Sequence, residues 1–300
     1  MAKLNWYKGS LHNHTNRSDG DSDPRVVVDW YRRNGYHFMA ITDHNCVTTL
    51  EDAGILLIPS EEMTLRIDGG ETAIHLNAYG VDAAIAPVQA GDPASALQAN
   101  INVIVRGGGI AAINHPNYTW AFDHTHMLQV TGARLLEIQN CHPVVNTHGG
   151  GGRPSCEEMW DHLLSAGQRI YGIACDDSHT FQGDFLPTKG NPGHGWVVVR
   201  ASRLERKAIL KALREGNFYA STGVTLKGFD AAKERVAIQV EQERDFAYTT
   251  RFIGRQGAVL GMRHGVEAEY RPKGGEGYVR AVVSCSNGSK AWTQPVFLSP

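Results

Sequence analysis

Six short apolar runs in the first 180 residues each stop at, or contain, a histidine or a carboxylate, and this coincidence limits what the chain can fold into. LNWYKGSL (4–11) leads into His12-Asn13-His14, HFMAIT (37–42) into Asp43-His44, and ILLIPS (55–60) into Glu61-Glu62. IAAIN (110–114) leads into His115, RIYGIAC (169–175) into Asp176-Asp177-Ser178-His179, and TAIHLNAYG (72–80) carries His75. Side chains two apart on a strand share a face, so His12 and His14 can address one centre. Taken singly, each motif has an ordinary reading: a polar strand end, a turn, a solvated loop. Polar residues of that kind would fall at both ends of the strands, whereas these fall at one. In a parallel barrel the C-terminal strand ends share one rim, where sites are built from several βα loops.

Helical patterns separate the runs. Asp23 as N-cap, Pro24 at the first helical position and Gly35 beyond the end frame the helix PRVVVDWYRRN. A second helix runs from Pro93 to Arg106, closed by Gly107, and Ser155 with Glu158 forms a capping box for a third that ends at Gly167. LLEIQ (135–139) and GWVVVR (195–200) add two further strands, and Ser202 with Glu205 is expected to cap the last helix, LERKAILKALRE, which Gly216 ends. Alternating strands and helices predict an α/β domain over residues 1–224. From 225 to 300 the segments VAIQVEQ, YTTRFIG, EAEYRP, YVRAVVSC and TQPVFLS, joined by Gly-rich turns, predict a small antiparallel, sandwich-like β domain.

Composition narrows the function classes. A net charge of −2 gives no basic face for a nucleic-acid duplex. The longest apolar stretch falls well short of the eighteen or so residues that a membrane span needs. MAKLNWYKGS lacks the apolar core of a secretory signal, and five cysteines without a Cys-x-x-Cys pair point to a reducing compartment, so the expected location is the cytoplasm. Of 14 histidines, all but His264 lie in the first 194 residues, which places the chemistry in the first domain. Imidazoles and carboxylates without cysteine suit Zn²⁺, Mn²⁺ or Fe²⁺. Arg17, Arg153, His142 and His194 are placed near the expected rim as groups to hold a substrate anion, with His194 the candidate general acid inside its Gly-His-Gly. Cys141 and Cys175 read as small buried apolar groups.

The stretches LHNHT, ITDHN, IPSEEMT, INHP and DDSH, in that order, resemble the PHP (polymerase and histidinol phosphatase) superfamily of metal-dependent hydrolases. WYKGSLHNHTNRSDGD, GHGWVVV, GNFYASTG, YVRAVV and AWTQPVFL are similar to the subgroup that includes carbaryl hydrolase-type proteins, so the resemblance covers nearly the whole chain. It implies a distorted (β/α)7 barrel and two or three divalent ions. Carried over, His12, His14, Glu62 and Asp177 would hold one ion; Glu62 would be shared with a second, completed by His75 and His115; Asp19, His44 and His179 would hold a third. The sequence departs from the family at Asp19, where several relatives have histidine, and at Ser60, where the family pattern has glycine.

Cations so placed would lower the pKa of bound water to near ~7 and supply hydroxide as nucleophile. Two reactions fit. The first expectation is a phosphoesterase acting on a small phosphorylated metabolite or nucleotide, with Arg17, Arg153 and the loop 149–152 as anion holders. The alternative is a carbamate, ester or amide hydrolase with an apolar pocket built from Tyr118, Trp120, Phe122, Phe181 and Phe185. The partner expected is a small molecule, and the β domain is expected to pack on the barrel or to make a homo-oligomer contact.

Overall fold

The first apolar run forms β1 (Asn5–Ser10) in a computed structural model that describes residues 4–298. The first three residues of MAKLNWYKGS and the last of TQPVFLS lie outside the described residues. β2 (Phe38–Met39) and β3 (Leu56–Leu57) pair in parallel beside β1. A second sheet contains β4 (Ser60–Ile67), β5 (Thr72–Tyr79), β6 (Ile110–Ile113), β7 (Leu135–Asn140) and β8 (Tyr171–Cys175), in that order. β5 is antiparallel to both β4 and β6, while β6, β7 and β8 are parallel.

The two sheets meet at the mouth formed by the ligand-type residues. A parallel bridge joins Asn13, after β1, to Ser178, after β8, and another joins His44, after β2, to Glu62 in β4. The backbone bonds are His14 N–H to Ser178 C=O at 2.9 Å, Asp177 N–H to His12 C=O at 3.1 Å and Glu62 N–H to Asp43 C=O at 3.2 Å. The result is a mixed α/β arrangement of two sheets joined at one end, with antiparallel as well as parallel pairings.

Two departures from the expected strand pattern have identifiable causes. Asp176, directly after β8, accepts the backbone N–H groups of Gly193, His194 and Gly195 at 2.6–2.9 Å. β9 (Trp196–Ala201) therefore starts at the mouth, where β8 ends, and runs back antiparallel to β1. The second departure concerns Glu61 and Glu62. They lie inside the β4–β5 hairpin, which begins at Ser60 immediately after Pro59, and do not close the third run.

Helix α1 (Pro24–Arg33) begins as the sequence indicates: the Asp23 carboxylate accepts Arg25 N–H, and Val27, Val28 and Tyr31 are buried. α2 (Pro93–Arg106) is capped by Asp92, and α3 (His124–Met127) is a single turn capped by Asp123. α4 (Cys156–Ser165) carries the expected Ser155–Glu158 box. α5 (Arg206–Glu215) does not carry the expected Ser202–Glu205 box, for Glu205 is the N-cap and makes no side-chain cap. β9 stays paired with β1 through Ala201, so residues 202–204 are needed to turn the chain. At the far end Gly216, at φ 72°, takes the left-handed C-cap that glycine allows.

Beyond β10 (Phe218–Ser221) follow β11 (Leu226–Ala232), β12 (Arg235–Val240), β13 (Tyr248–Ile253), β14 (Val259–His264), β15 (Glu267–Tyr270), β16 (Tyr278–Cys285), β17 (Lys290–Thr293) and β18 (Val296–Phe297). Every pairing among them is antiparallel. β10 pairs with β9 on one side and β17 on the other, so one sheet runs from β3 through β1 into the tail. β11, β12 and β15 form a second layer, with Val236, Ile238 and Val240 packed in one apolar cluster with Val279, Ala281 and Val283. The tail is also tied to α4: the buried Arg280 guanidinium donates to both Asp161 carboxylate oxygens, at 2.8 and 2.6 Å, and the Tyr278 hydroxyl donates to the same carboxylate at 2.7 Å. The five cysteines are free, and no helix among the described residues is long and apolar enough to cross a membrane.

Candidate metal centre

His12 and His14 point the same way from the extended segment after β1, with their Nε2 atoms 3.1 Å apart. His12 Nε2 lies 3.4 Å from Glu62 Oε1 and 3.3 Å from Asp177 Oδ1, and His14 Nε2 lies 3.4 Å from Glu62 Oε2 and 3.3 Å from Asp177 Oδ1. Donors bound at ~2.0–2.1 Å around one tetrahedral cation stand roughly 3.3–3.4 Å apart, and the spacings among His12, His14 and Asp177 are of that size. Glu62 Oε1 is also 3.1 Å from His75 Nδ1 and 3.2 Å from His115 Nε2. Beside them, Asp19 Oδ2 is 3.3 Å from His44 Nε2 and 3.4 Å from His179 Nε2. The donor sets that could hold an ion overlap: His12, His14 and Asp177 form one, His12, Glu62 and His115 a second, His44, Glu62 and His75 another, and His14 joins Asp19, His44 and His179. Glu62 and Asp177 therefore fall in different sets, and His75 and His115 share none, unlike the grouping that the family resemblance implies.

Eight of the nine residues line one cavity of about 340 Å³, and His12 lies beneath it, fully buried. Glu61 faces away and accepts Ile85 N–H at 2.7 Å; burial raises its carboxyl pKa. Burial would do the same to Glu62 and Asp177. The imidazoles of His75 and His12 instead hold Glu62 well below the usual carboxylate range, and His12 and His14 do so for Asp177. For His44, burial works downward, but hydrogen bonds to Asp19 and Glu62 outweigh it and raise the imidazole to about 10. Burial, with His179 alongside, lowers His14 to about 4. Acidic and basic groups are thus interleaved at short range, an arrangement that perturbs pKa values at functional sites. Asp177 also sits at φ 51°, in the left-handed region that costs a non-glycine residue energy.

Outer groups fix these side chains. Glu137, in the middle of β7, accepts from His12 Nδ1 at 2.6 Å and from His115 N–H at 3.0 Å, which leaves His12 Nε2 to face the cavity. Asn140 Nδ2 donates to both Glu137 and Asp177 at 3.0 Å, and Asn114 Nδ2 donates to Glu62 at 2.7 Å. Asp43 does not face the donors. It accepts Thr15 N–H and Thr15 Oγ1 at 2.7 Å and Ser18 Oγ at 2.8 Å, and so anchors the loop that carries Asp19. Replacement Glu137→Gln is expected to keep the fold and weaken metal affinity about 10–100-fold, as removal of a carboxylate behind a ligating histidine does elsewhere. Competition against a chromophoric chelator measures it; an unchanged affinity would mean that Glu137 does not orient His12.

Glu137 was not singled out from the sequence, although a carboxylate at the centre of the apolar run LLEIQ was a signal. Lys189 was missed as well. It is exposed, on the loop between β8 and β9, and is the single lysine or arginine that lines the cavity. Four expected anion holders fare differently. His142 lines the cavity. Arg17 is exposed and does not line it. Arg153 stacks over Trp120 at 5.2 Å and faces a separate cleft with His124 and His162, because the glycines at 149–152, all at positive φ, turn the chain away. His194 belongs to a neighbouring cavity, since Asp176 draws its backbone to the far side of the β8 end. Of the expected aromatic pocket, Tyr118 alone lines the cavity. Phe122 is in the core, and Phe181 and Phe185 pack beside Trp30.

No family model and no curated protein matches the chain. Among solved structures, the fold matches a two-domain protein containing a predicted PHP-like metal-dependent phosphoesterase from Bacteroides vulgatus at 17% identity and TM-score 0.55, over 97% of this chain and 95% of that one. A putative metal-dependent phosphoesterase from Bifidobacterium adolescentis matches at 16% identity and TM-score 0.40, over 61% of this chain and 89% of the other. An amidohydrolase from Chromobacterium violaceum, with bound sulfate and no metal, matches at 18% and 0.41, over 60% and 93%. The likeness of fold rests on the first of these.

Proposed function

We propose that the chain is a metal-dependent hydrolase of PHP type that cleaves phosphate esters of a small metabolite or nucleotide. The observation that carries this reading is the donor cluster around His12 and His14, whose Nε2 atoms lie 3.1 Å apart and 3.3–3.4 Å from oxygens of Asp177 and Glu62. His75 and His115 each approach Glu62, at 3.1 and 3.2 Å, and Asp19, His44 and His179 form an adjoining set with His14. When bound there, divalent ions supply Lewis acidity and lower the pKa of water.

The chain's own groups do the rest. Lys189 at the rim offsets the charge of an incoming phosphate. Burial lowers the His142 imidazole pKa, so at neutral pH it serves as a neutral hydrogen-bonding group that orients the substrate. Tyr118 and Val145 give the cavity one apolar wall for the leaving group. A carbamate or ester substrate would want the wider aromatic pocket, and the structure does not assemble it.

The test is to purify the protein without chelator, measure metal per chain, and compare p-nitrophenyl phosphate, p-nitrophenyl acetate and an aryl carbamate. Metal-dependent turnover of the phosphate is expected to exceed the other two. Turnover of the acetate or the carbamate alone would replace this reading with the carbonyl hydrolase.

A further inference from the structure

A second cavity, of about 710 Å³, lies next to the first, and His142 lines both. Its wall comes from the segment after β7, from His194 before β9, and from the tail, through Thr222 and the β16–β17 turn that leads to Lys290 and Trp292. The first cavity is lined by three carboxylates, Asp19, Glu62 and Asp177. The second is lined by no acidic residue; Lys290 adds a permanent cation, and His142, His148 and His194 add three imidazoles. Glu157, the carboxylate that feels the Lys290 charge, is already bonded by Arg280 at 3.0 Å. The root of Lys290 is fixed, since its N–H donates to Thr222 Oγ1 at 2.9 Å and its C=O accepts Thr222 N–H at 2.9 Å. A concave site with convergent cationic and hydrogen-bonding groups, held by anchored backbone, is built for an anion.

We propose that this cavity binds an anionic group, a carboxylate or a phosphate, at the far end of a substrate whose scissile bond lies at the histidine–carboxylate cluster. This rests on the hydrolase reading and narrows the substrate class to molecules with a second negative group. It also gives the tail a part in specificity, through Lys290.

The full-length protein, with its metal content measured, is titrated at constant pH with inorganic phosphate and separately with succinate. The ring signals of His148 and His194, assigned from His148→Gln and His194→Gln, are followed by NMR. Both rings are expected to shift along one saturable curve with a midpoint in roughly the millimolar range. Lys290→Ala is expected to raise that midpoint about tenfold, an effect of the size that losing one charge-assisted contact produces, and Lys290→Arg to restore it. A response to phosphate alone, succinate alone or both identifies which anion the site accepts, and each supports the assignment. Rings unmoved by either anion, or an unchanged midpoint in Lys290→Ala, would overturn it. Such a failure with metal present leaves the hydrolase reading standing, whereas a chain that takes up no metal removes that reading without touching the anion titration.

Discussion

Asp177→Asn is expected to lower kcat/KM for p-nitrophenyl phosphate by roughly a thousandfold or more, because several kcal/mol of transition-state charge stabilisation depends on ions that this carboxylate helps to hold. Asp177 Oδ1 is 3.3 Å from both His12 Nε2 and His14 Nε2, and the three make one donor set. Asparagine has the same shape and removes the charge. The backbone bond from Asp177 N–H to His12 C=O is kept, so the far-UV circular dichroism should match that of the parent protein. Metal content of the purified variant should fall together with turnover. A variant that kept both near normal would show that Asp177 is not a ligand.

The second large effect is on stability. Asp161→Ala is expected to cost about 3–5 kcal/mol, since it leaves Arg280 buried with its main partner gone. Arg280 is 1% exposed, lies over the Trp160 ring, and bonds Asp161 through two nitrogens, while Glu157 accepts from only one. In a chain of this size the thermal midpoint should drop by roughly 5–15 °C. Tyr278→Phe removes a single hydrogen bond to the same carboxylate and should cost only about 1 kcal/mol. A melt of Asp161→Ala within a degree of the parent would mean that the contact between α4 and the tail is idle.

How much of this was legible in the sequence differs from residue to residue. His12, His14, His115, Asp177 and His179 follow from local periodicity and from their place at strand ends, and His75 from its place within a strand; the structure brings them together. Glu62 was chosen over Glu61 by resemblance alone. Its physical basis is the pleat of β4, where neighbouring side chains face opposite ways, and the Pro59 turn that starts the hairpin at Ser60 is what sets that pleat.

The direction of β9 could not be read locally. It depends on Asp176 gathering three peptide N–H groups that lie 17 to 19 residues further on. The same contact moved His194 out of the first cavity and into the second. Arg17 and Arg153 were close to ligand motifs along the chain, but loop geometry decides where such side chains go, and after the positive-φ glycines at 149–152 Arg153 stacks over Trp120 and lines a separate cleft. The Ser202–Glu205 pattern failed because a strand competed for the same residues: β9 pairing with β1 holds Ala201, and three residues of turn follow. Patterns set by near neighbours were readable, and those set by contacts distant in sequence were not.

The most direct measurement is an anomalous difference map from crystals soaked in Mn²⁺ or Zn²⁺. The account predicts a peak among His12 Nε2, His14 Nε2 and Asp177 Oδ1, with further density beside Glu62, where His12 and His115 form the next donor set. A map without a peak among these atoms, in crystals that take up the ion elsewhere, would contradict it.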